Sequence, residues 1–239
     1  MLAAQLLGNE TLVGHKVSLQ RIGVQHAEFL YQCYQNDDFM DLYRLAQNRA
    51  ETITKIRARL LKNSEYTAEQ LHKFEWVIHK NTKTGELGQA IGLVSVADYM
   101  KSHRRAELLL GIADKKQRQS GLISLEVTLL VLEFAFKQLN LNKFLMLVYE
   151  HNQFAHKNAM NFGFKAEGFF AEHTHYPNKG FVGMYQNAFF AKDFWNNPKI
   201  KRWSLRVLKR DTTQQPAENR QLSSEELNQA NQALHNFLQ

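Results

Sequence analysis

One continuous stretch, residues 105–140, constrains the fold more than any other part of the chain. It reads RAELLLGIADKKQRQSGLISLEVTLLVLEFAFKQLN, which predicts a strand over 106–112, a polar turn over 114–121 and then an almost wholly apolar helix. Such a turn directs successive main-chain N–H groups at the start of the helix, where the oxygens of a phosphate are favoured. One glycine in a basic loop is a weak motif alone, so its meaning depends on the flanking elements.

Composition limits the chain to one large globular domain, or to one domain with an appendage. Of its 239 residues, 44% are hydrophobic and 22% are charged, and no apolar run approaches the roughly 20 residues of a membrane helix. A single cysteine, Cys33, excludes an internal disulfide framework and predicts a cytoplasmic location. The net charge of +7 predicts an acidic partner: a nucleotide-bearing cofactor, an acidic substrate or nucleic acid.

Periodicity along the rest of the chain predicts alternating strands and helices followed by an extension. Strands are predicted at 16–22, 74–80, 90–98, 143–150, 164–176 and 180–190. Helices are predicted at 25–48 (broken at 36–38), 51–61 and 154–161, with one or two helical turns at 67–73. After residue 195 the composition shifts. We therefore predict one domain over 1–195, and a basic linker with a terminal amphipathic helix (223–238) over 196–239.

Two landmarks in this order of elements resemble the GNAT superfamily of acetyl-CoA-dependent N-acetyltransferases over residues 16–195. One is the loop QRQSGLI at 117–123, and the other is NQFAHKNAMNFGF at 152–164. The branch that they most resemble includes ribosomal-protein alanine and amino-sugar N-acetyltransferases. The resemblance implies an α+β fold, with a mixed, mostly antiparallel central sheet, helices on both faces and a C-terminal helical extension.

The resemblance also implies a set of residues that bind acetyl-CoA. The family loop pattern Arg/Gln-x-x-Gly-x-Gly/Ala begins here at Arg118 and ends at Ile123, a larger apolar residue than is usual there. The amides of 119–123 would hold the pyrophosphate, and Gly121 would let the backbone approach it. The alternative is an ordinary basic loop followed downstream by a helix cap. The implied CoA contacts are Gly111, Ile112, Arg118, Gln119, Ser120, Gly121, Leu122, Ile123, Asn152 and Ala155.

Glu107 is the candidate general base, because an amine that attacks a thioester must first be neutral. The alternative is a structural glutamate paired with Arg104 or Arg105. In the family the amine attacks directly in a ternary complex without a covalent nucleophile. Main-chain N–H groups near Gly111 and Ile112 would polarise the thioester carbonyl.

The general acid is less well defined by the sequence. Many family members have a tyrosine seven residues after the asparagine of the second landmark, but this chain has Ala159. Tyr149 is taken as the candidate acid, with Tyr176, Tyr185 or water as alternatives. The spacing of two histidines, at 173 and 175, could suggest a metal, but without a cysteine or third ligand nearby we predict none.

The sequence therefore predicts transfer of an acetyl group from acetyl-CoA to a primary amine. The acceptor is a protein N-terminus, or an amino sugar or other small amine. A GNAT fold that binds CoA without catalysis, as a regulatory or interaction module, remains the alternative. A homodimer is also open. The basic segment 199–210 is interpreted as a solvated face, with ribosome or nucleic acid as its less favoured partner.

Overall fold

The computed structural model describes residues 11–43, 50–176 and 180–216, so the predicted helix at 223–238 lies outside the described residues. The strands are β1 (Leu12–Val13), β2 (Val17–Arg21), β3 (Phe74–Asn81), β4 (Leu87–Met100), β5 (Arg105–Ile112), β6 (Lys143–Tyr149), β7 (Lys165–Tyr176) and β8 (Gly180–Phe190). The helices are α1 (Ala27–Gln35), α2 (Asp37–Met40), α3 (Ile53–Ser64), α4 (Lys115–Ser120), α5 (Leu122–Glu133), α6 (Gln153–Phe162), α7 (Ala191–Phe194) and α8 (Pro198–Val207).

The strands form one open sheet in the order β1-β2-β3-β4-β5-β6-β8-β7. Neighbouring described strands are antiparallel except β5 and β6, which run parallel. The mixed, mostly antiparallel sheet predicted from the sequence is therefore confirmed. A parallel pair requires a connection that returns to the starting edge of the sheet, and α4 and α5 provide that connection.

Helices cover both faces of the sheet and bury two separate cores. On one face α1, α2 and α3 pack against inward-facing residues of the central strands, including Val77, Leu93 and Leu109. The other face is covered by α5, α6 and α8, and its core contains Trp76 and Phe134 with their rings in edge contact, 5.2 Å between centroids. Within the described ranges, no helix combines the length and the apolar content needed to cross a bilayer.

The basic segment after residue 195 is a helix rather than a linker. Asn197 caps α8 by accepting hydrogen bonds from the main-chain N–H groups of Lys199 and Ile200, at 3.0 and 3.2 Å. Three residues at helical spacing, Ile200, Ser204 and Val207, are buried on one face. The linker prediction is therefore wrong for 198–207. The segment has few buried apolar residues among many cations, so its helical periodicity is difficult to recognise in the sequence. The apolar contacts of α8 belong to the same core as α5.

Two smaller predictions, a helix break at 36–38 and a helical turn at 67–73, can be compared with the structure. The predicted break at 36–38 is confirmed, since Asn36 ends α1 and its side chain accepts from the N–H of Phe39 to start α2. The helical turn predicted at 67–73 is confirmed as a single turn, in which the N–H of Leu71 bonds to the carbonyl of Thr67 at 3.0 Å. The reciprocal bonds between Thr67 and Gln70 are present, so this capping pair stabilises an isolated turn without a helix after it.

Glu126 is a buried carboxylate in the middle of α5 that holds the start of β2. It accepts from the main-chain N–H of Lys16 at 2.8 Å and more weakly from that of Val17 at 3.4 Å. Glu126→Leu leaves these buried donors without an acceptor, so we expect a loss of about 2–4 kcal/mol of unfolding free energy in urea titrations. Glu126→Gln keeps an acceptor and should lose clearly less. Equal stability of the Leu variant and the wild type would contradict this role.

The same carboxylate should give the protein a pH-dependent stability. Burial raises the pKa of Glu126, and the main-chain N–H donors partly oppose that rise. A carboxyl group whose pKa is higher in the folded state than in the unfolded state stabilises the fold fully at pH values below its unfolded pKa. That stabilisation is lost as the pH rises through its folded pKa. The Gln variant lacks this titration, so its deficit against the wild type should narrow with rising pH.

Candidate active site

The site is built on a gap between the parallel strands β5 and β6. In the described ladder these strands pair over three positions, ending at Glu107 opposite Leu145, and then separate. The N–H of Ala113 bonds to Ile91 on the β4 side, at 2.8 Å. Because successive residues of a strand direct their main-chain groups to opposite sides, those of Leu108, Leu110 and Ile112 point toward β6. The N–H of Leu108 completes the last ladder pair, so the carbonyl of Leu108 and the N–H and carbonyl groups of Leu110 and Ile112 face the gap.

Two helix N-termini lie at the edge of the sheet where this gap is open. Helix α5 follows β5 and helix α6 follows β6, so both run back from that edge. Gly121 precedes α5 with a φ of +67°, which favours glycine, and the first N–H groups of α5 belong to residues 122–124. Asn152 caps α6 by accepting from the N–H of Ala155 at 3.2 Å. This edge therefore concentrates main-chain donors and positive helix ends.

The polar turn predicted at 114–121 is largely helical. Asp114 caps α4 by accepting from the N–H groups of Lys116 and Gln117, at 2.8 and 3.1 Å. The amides of Gln119 and Ser120, predicted to hold a phosphate, lie inside this helix and so bond to carbonyls of the preceding turn. The donors available to an anion are therefore those of Leu122 and Ile123, also predicted, together with that of Ser124.

A cavity of about 330 Å³ runs from this edge along the gap. Its floor is formed by β5 and β6, and its walls by α5 and α6, with Arg118 and Gly121 at its mouth. Asn152 and Ala155 line it, as the sequence predicted. The cavity passes through the sheet, because Phe39 and Tyr43 from the opposite face also line it. A ligand can therefore enter beside the helix N-termini and reach the other face.

Gly111 is the point at which the opposite face closes on β5. A Cβ atom there would lie 2.6 Å from Cε2 of Phe39 and 2.7 Å from Cδ2 of Tyr43, whose rings stack at 4.9 Å. Its own N–H lies on the β4 side, which differs from the predicted role of polarising a carbonyl. Ile112 keeps that predicted direction. Burial raises the pKa of Tyr43, so its phenol, hydrogen-bonded to Ser95, stays protonated in the cavity wall.

The segment 37–43, which carries these rings, is held from both sides of the gap. From the α4 side, Nη1 of Arg118 donates to the main-chain oxygen of Asp38 at 3.3 Å. From the β6 side, Nε2 of His151 lies 3.1 Å from the main-chain oxygen of Asp41. The ring of His151 stacks in turn on Tyr149, with centroids 5.2 Å apart.

The two predicted catalytic side chains lie on the same face but at opposite ends of the gap. Glu107 is buried at the base, where β5 and β6 part, and it alternates with Leu109 and Gly111 toward the face of α1–α3. Tyr149 lies four residues beyond Leu145, so about 13 Å further along. It is buried and lines the cavity, whereas Glu107 does not.

Other predicted residues are accounted for by ordinary contacts. Arg104 bonds Asn140, and Arg105 bonds Asp98. Tyr185 stacks on His156, 4.0 Å between centroids, outside the cavity wall. The described part of the chain contains no group of three His, Cys, Asp or Glu side chains arranged to hold a metal ion.

Sequence reasoning gave no site role to several aromatic residues of the cavity wall, among them Phe39, Tyr43 and Trp203. Each reaches the cavity from an element remote in sequence, and each looks like an ordinary amphipathic position. Gly111 could have indicated its contact with Phe39 and Tyr43, because a glycine inside an apolar strand often marks a close approach by another group.

This sheet, with a parallel pair that parts beneath two helix N-termini, has the fold of known N-acetyltransferases. A Vibrio cholerae spermidine N-acetyltransferase, solved with CoA and spermine, is 20% identical with a TM-score of 0.62, covering 73% of this chain and 95% of that one. RimL, a ribosomal L7/L12 α-N-protein acetyltransferase solved with coenzyme A, is 14% identical with a TM-score of 0.62, covering 76% and 98%.

Sequence comparison identifies the family. Residues 16–165 match the acetyltransferase (GNAT) domain model, so this chain belongs to the GNAT family of N-acetyltransferases. The uncharacterized N-acetyltransferase YoaA of Bacillus subtilis is 26% identical over 175 residues, which cover 72% of this chain and 87% of YoaA.

The contact at Gly111 predicts a sharp steric effect. Gly111→Ala must displace the stacked rings of Phe39 and Tyr43, so we expect a loss of about 1–3 kcal/mol in urea unfolding. Adding Phe39→Leu should recover part of that loss, because a smaller side chain makes room for the methyl group. Additive losses in a double-mutant cycle would contradict direct contact between the two positions.

Proposed function

We propose that this protein transfers the acetyl group of acetyl-CoA to a primary amine, by direct attack within a ternary complex. The observation that carries the proposal is the gap between β5 and β6, which opens beneath the N-termini of α5 and α6. One side of the gap suits an anionic donor, and the other suits an amine. The cytoplasm, where acetyl-CoA is made and used, is the location that this proposal adopts.

The donor side fits coenzyme A in its charge and in its hydrogen bonds. The N–H groups at the start of α5, with Arg118 beside them, provide a site for the pyrophosphate. The arm of CoA contains two amides, and the main-chain groups of Leu108, Leu110 and Ile112 that face the gap can pair with them. This pairing would continue the sheet with a ligand in place of a strand.

The reaction then requires that the enzyme position the amine next to the thioester and transfer protons. It does not require a nucleophilic side chain. The amine nitrogen forms a bond to the thioester carbon as the carbon–sulfur bond breaks, and the sulfur leaves as a thiolate. Glu107, at the base of the gap about 13 Å from Tyr149 along the strands, is proposed to take the amine proton through a chain of waters. Tyr149 is proposed to protonate the thiolate. Because Ile112 lies at the mouth, where the arm enters, the N–H of Leu110, which lies deeper in the gap, is proposed to polarise the carbonyl oxygen in place of that of Ile112.

The acceptor side favours a cationic amine. Segment 37–43 borders the cavity on this face, and Asp37 and Asp38 are exposed on α2 beside it. These carboxylates attract a protonated amine, which must lose its proton before it attacks. A polyamine and a protein N-terminus, the acceptors named for the two structural relatives described above, both fit this description, and so does an amino sugar.

A non-catalytic CoA-binding module is the second candidate. It is favoured by one observation: the cavity wall has Ala159, with no hydroxyl, at the position where the resemblance expects the acid. The two candidates share the donor site and differ in turnover. CoA binding without thiol release, over a panel of polyamines, peptides with free N-termini and amino sugars, would support the second.

The donor site is tested by Gly121→Glu. At a hundredfold excess over Kd, CoA should stabilise the wild type by about 2.7 kcal/mol. The variant should lose this stabilisation, because its carboxylate meets the pyrophosphate. Gly85→Glu is the matched control: both glycines have positive φ, +86° and +67°, with nothing within 4 Å of an added Cβ, but Gly85 lies in the β3–β4 turn. An unchanged CoA shift in Gly121→Glu would place the pyrophosphate elsewhere.

The base is tested by Glu107→Gln in the thiol-release assay. Loss of general-base catalysis should lower kcat by about 10²–10⁴-fold. The Kd for CoA should stay within about twofold, because Glu107 does not line the donor cavity. A kcat equal to that of the wild type would show that Glu107 serves the packing of β5 alone.

A further inference from the structure

The cavity extends further from the edge of the sheet than an acetyl group requires. Helices α5 and α6 begin at the same edge of the sheet, so depth can be counted along them at about 1.5 Å per residue. Thr128 lies seven residues from Gly121, and Phe162 lies ten from Asn152, which places them about 10 and 15 Å below that edge. Both still line the cavity.

This lower end, the foot of the cavity, is closed by aromatic rings. The ring of Phe162 lies 6.0 Å from that of Phe164 and 5.4 Å from that of Trp203, and all three residues line the cavity. Trp203 is itself held in place, because Nζ of Lys199 lies 4.8 Å from its ring and donates to the main-chain oxygen of Asn161 at 2.7 Å. The foot therefore has fixed walls that are mainly aromatic, with Thr128 and Asn161 as polar residues beside the rings.

Trp203 belongs to α8, which lies beyond the residues 16–165 that match the family model. The closing wall of the foot is thus a contribution of this chain's own extension. An amide-bearing arm has its hydrogen-bond partners higher in the cavity, along β5. The mainly aromatic walls of the foot favour binding of an alkyl chain.

Ala159 keeps the foot open. It is 4% exposed and lines the cavity from α6, between the mouth at Asn152 and the ring of Phe162. A larger side chain at this position would occupy the space that connects the foot to the gap. The small methyl group instead leaves a continuous apolar path from the gap to Trp203.

We propose that the foot of the cavity is an acyl pocket, and that this enzyme also uses CoA thioesters of straight-chain acyl groups longer than acetyl. This inference rests on the proposed function and extends its donor class. The reaction is unchanged in its balance: the amine gains the acyl group, the carbon–sulfur bond breaks, CoA leaves as the thiol, and the amine proton goes to solvent through the base.

The first test is binding alone, without an acceptor. Calorimetric Kd values are measured for CoA, acetyl-CoA, propionyl-CoA, butyryl-CoA and hexanoyl-CoA. Each methylene that enters the foot should tighten Kd about fourfold, so butyryl-CoA should bind more than tenfold tighter than acetyl-CoA. A flat or weakening series for the wild type would overturn the acyl pocket, while failure of CoA itself to bind would refute the proposed function.

The second test fills or enlarges the foot. Ala159→Leu should abolish the gain from acetyl to butyryl while the Kd of CoA changes little, and Ala171→Leu, on the exposed strand β7, is the matched control. Trp203→Phe should shift the preference toward longer chains, and it keeps the question answerable if Ala159→Leu fails to fold. Thiol release with butyryl-CoA should follow the same order. A chain-length preference that neither variant changes would overturn the assignment.

Discussion

The separation of β5 from β6 after Glu107 and Leu145 is the constraint on which the rest of the structure depends. A strand that leaves its ladder directs main-chain N–H and C=O groups into the interior, and buried groups of this kind need partners. Here Leu108, Leu110 and Ile112 face the gap. A ligand that carries amides along its length, such as the arm of CoA in the proposed function, can supply those partners.

The two cores hold the gap open from opposite faces. On one side α5 and α6 stand apart with the cavity between them, and α8 covers the outer surface of α5. On the other side Phe39 and Tyr43 rest directly on the backbone of Gly111, so β5 cannot shift toward that face. Because each face is packed independently, closing the gap would require both cores to rearrange.

The sequence was a good guide wherever a local pattern decided the structure. Apolar and alternating runs located the strands from 16 to 190, and the polar interruption at 36–38 located the break between α1 and α2. The two loop landmarks identified Arg118, Gly121, Asn152 and Ala155, all of which line the cavity. Each of these features depends on neighbours within a few residues along the chain.

Long-range contacts decided what the sequence could not show. Helix α8 buries only a narrow stripe of residues. Its many cations therefore obscure the helical periodicity in the sequence, and its packing on α5 is seen only in the structure. The cap that Asp114 provides for α4 is an exception, because it is local and aspartate is a favoured N-cap residue, so the sequence did contain this signal. The contact of Tyr43 with Gly111 joins positions 68 residues apart, and no local periodicity marks it.

The attachment of segment 37–43 has an evolutionary consequence. Arg118 and His151 hold this segment through main-chain oxygens of Asp38 and Asp41, so neither contact depends on which side chain occupies those two positions. Substitutions at these two positions can therefore change the charge and shape of the surface while the anchoring contacts stay intact. If the segment borders the acceptor, as proposed above, the choice of acceptor can change without changing the residues that hold the donor.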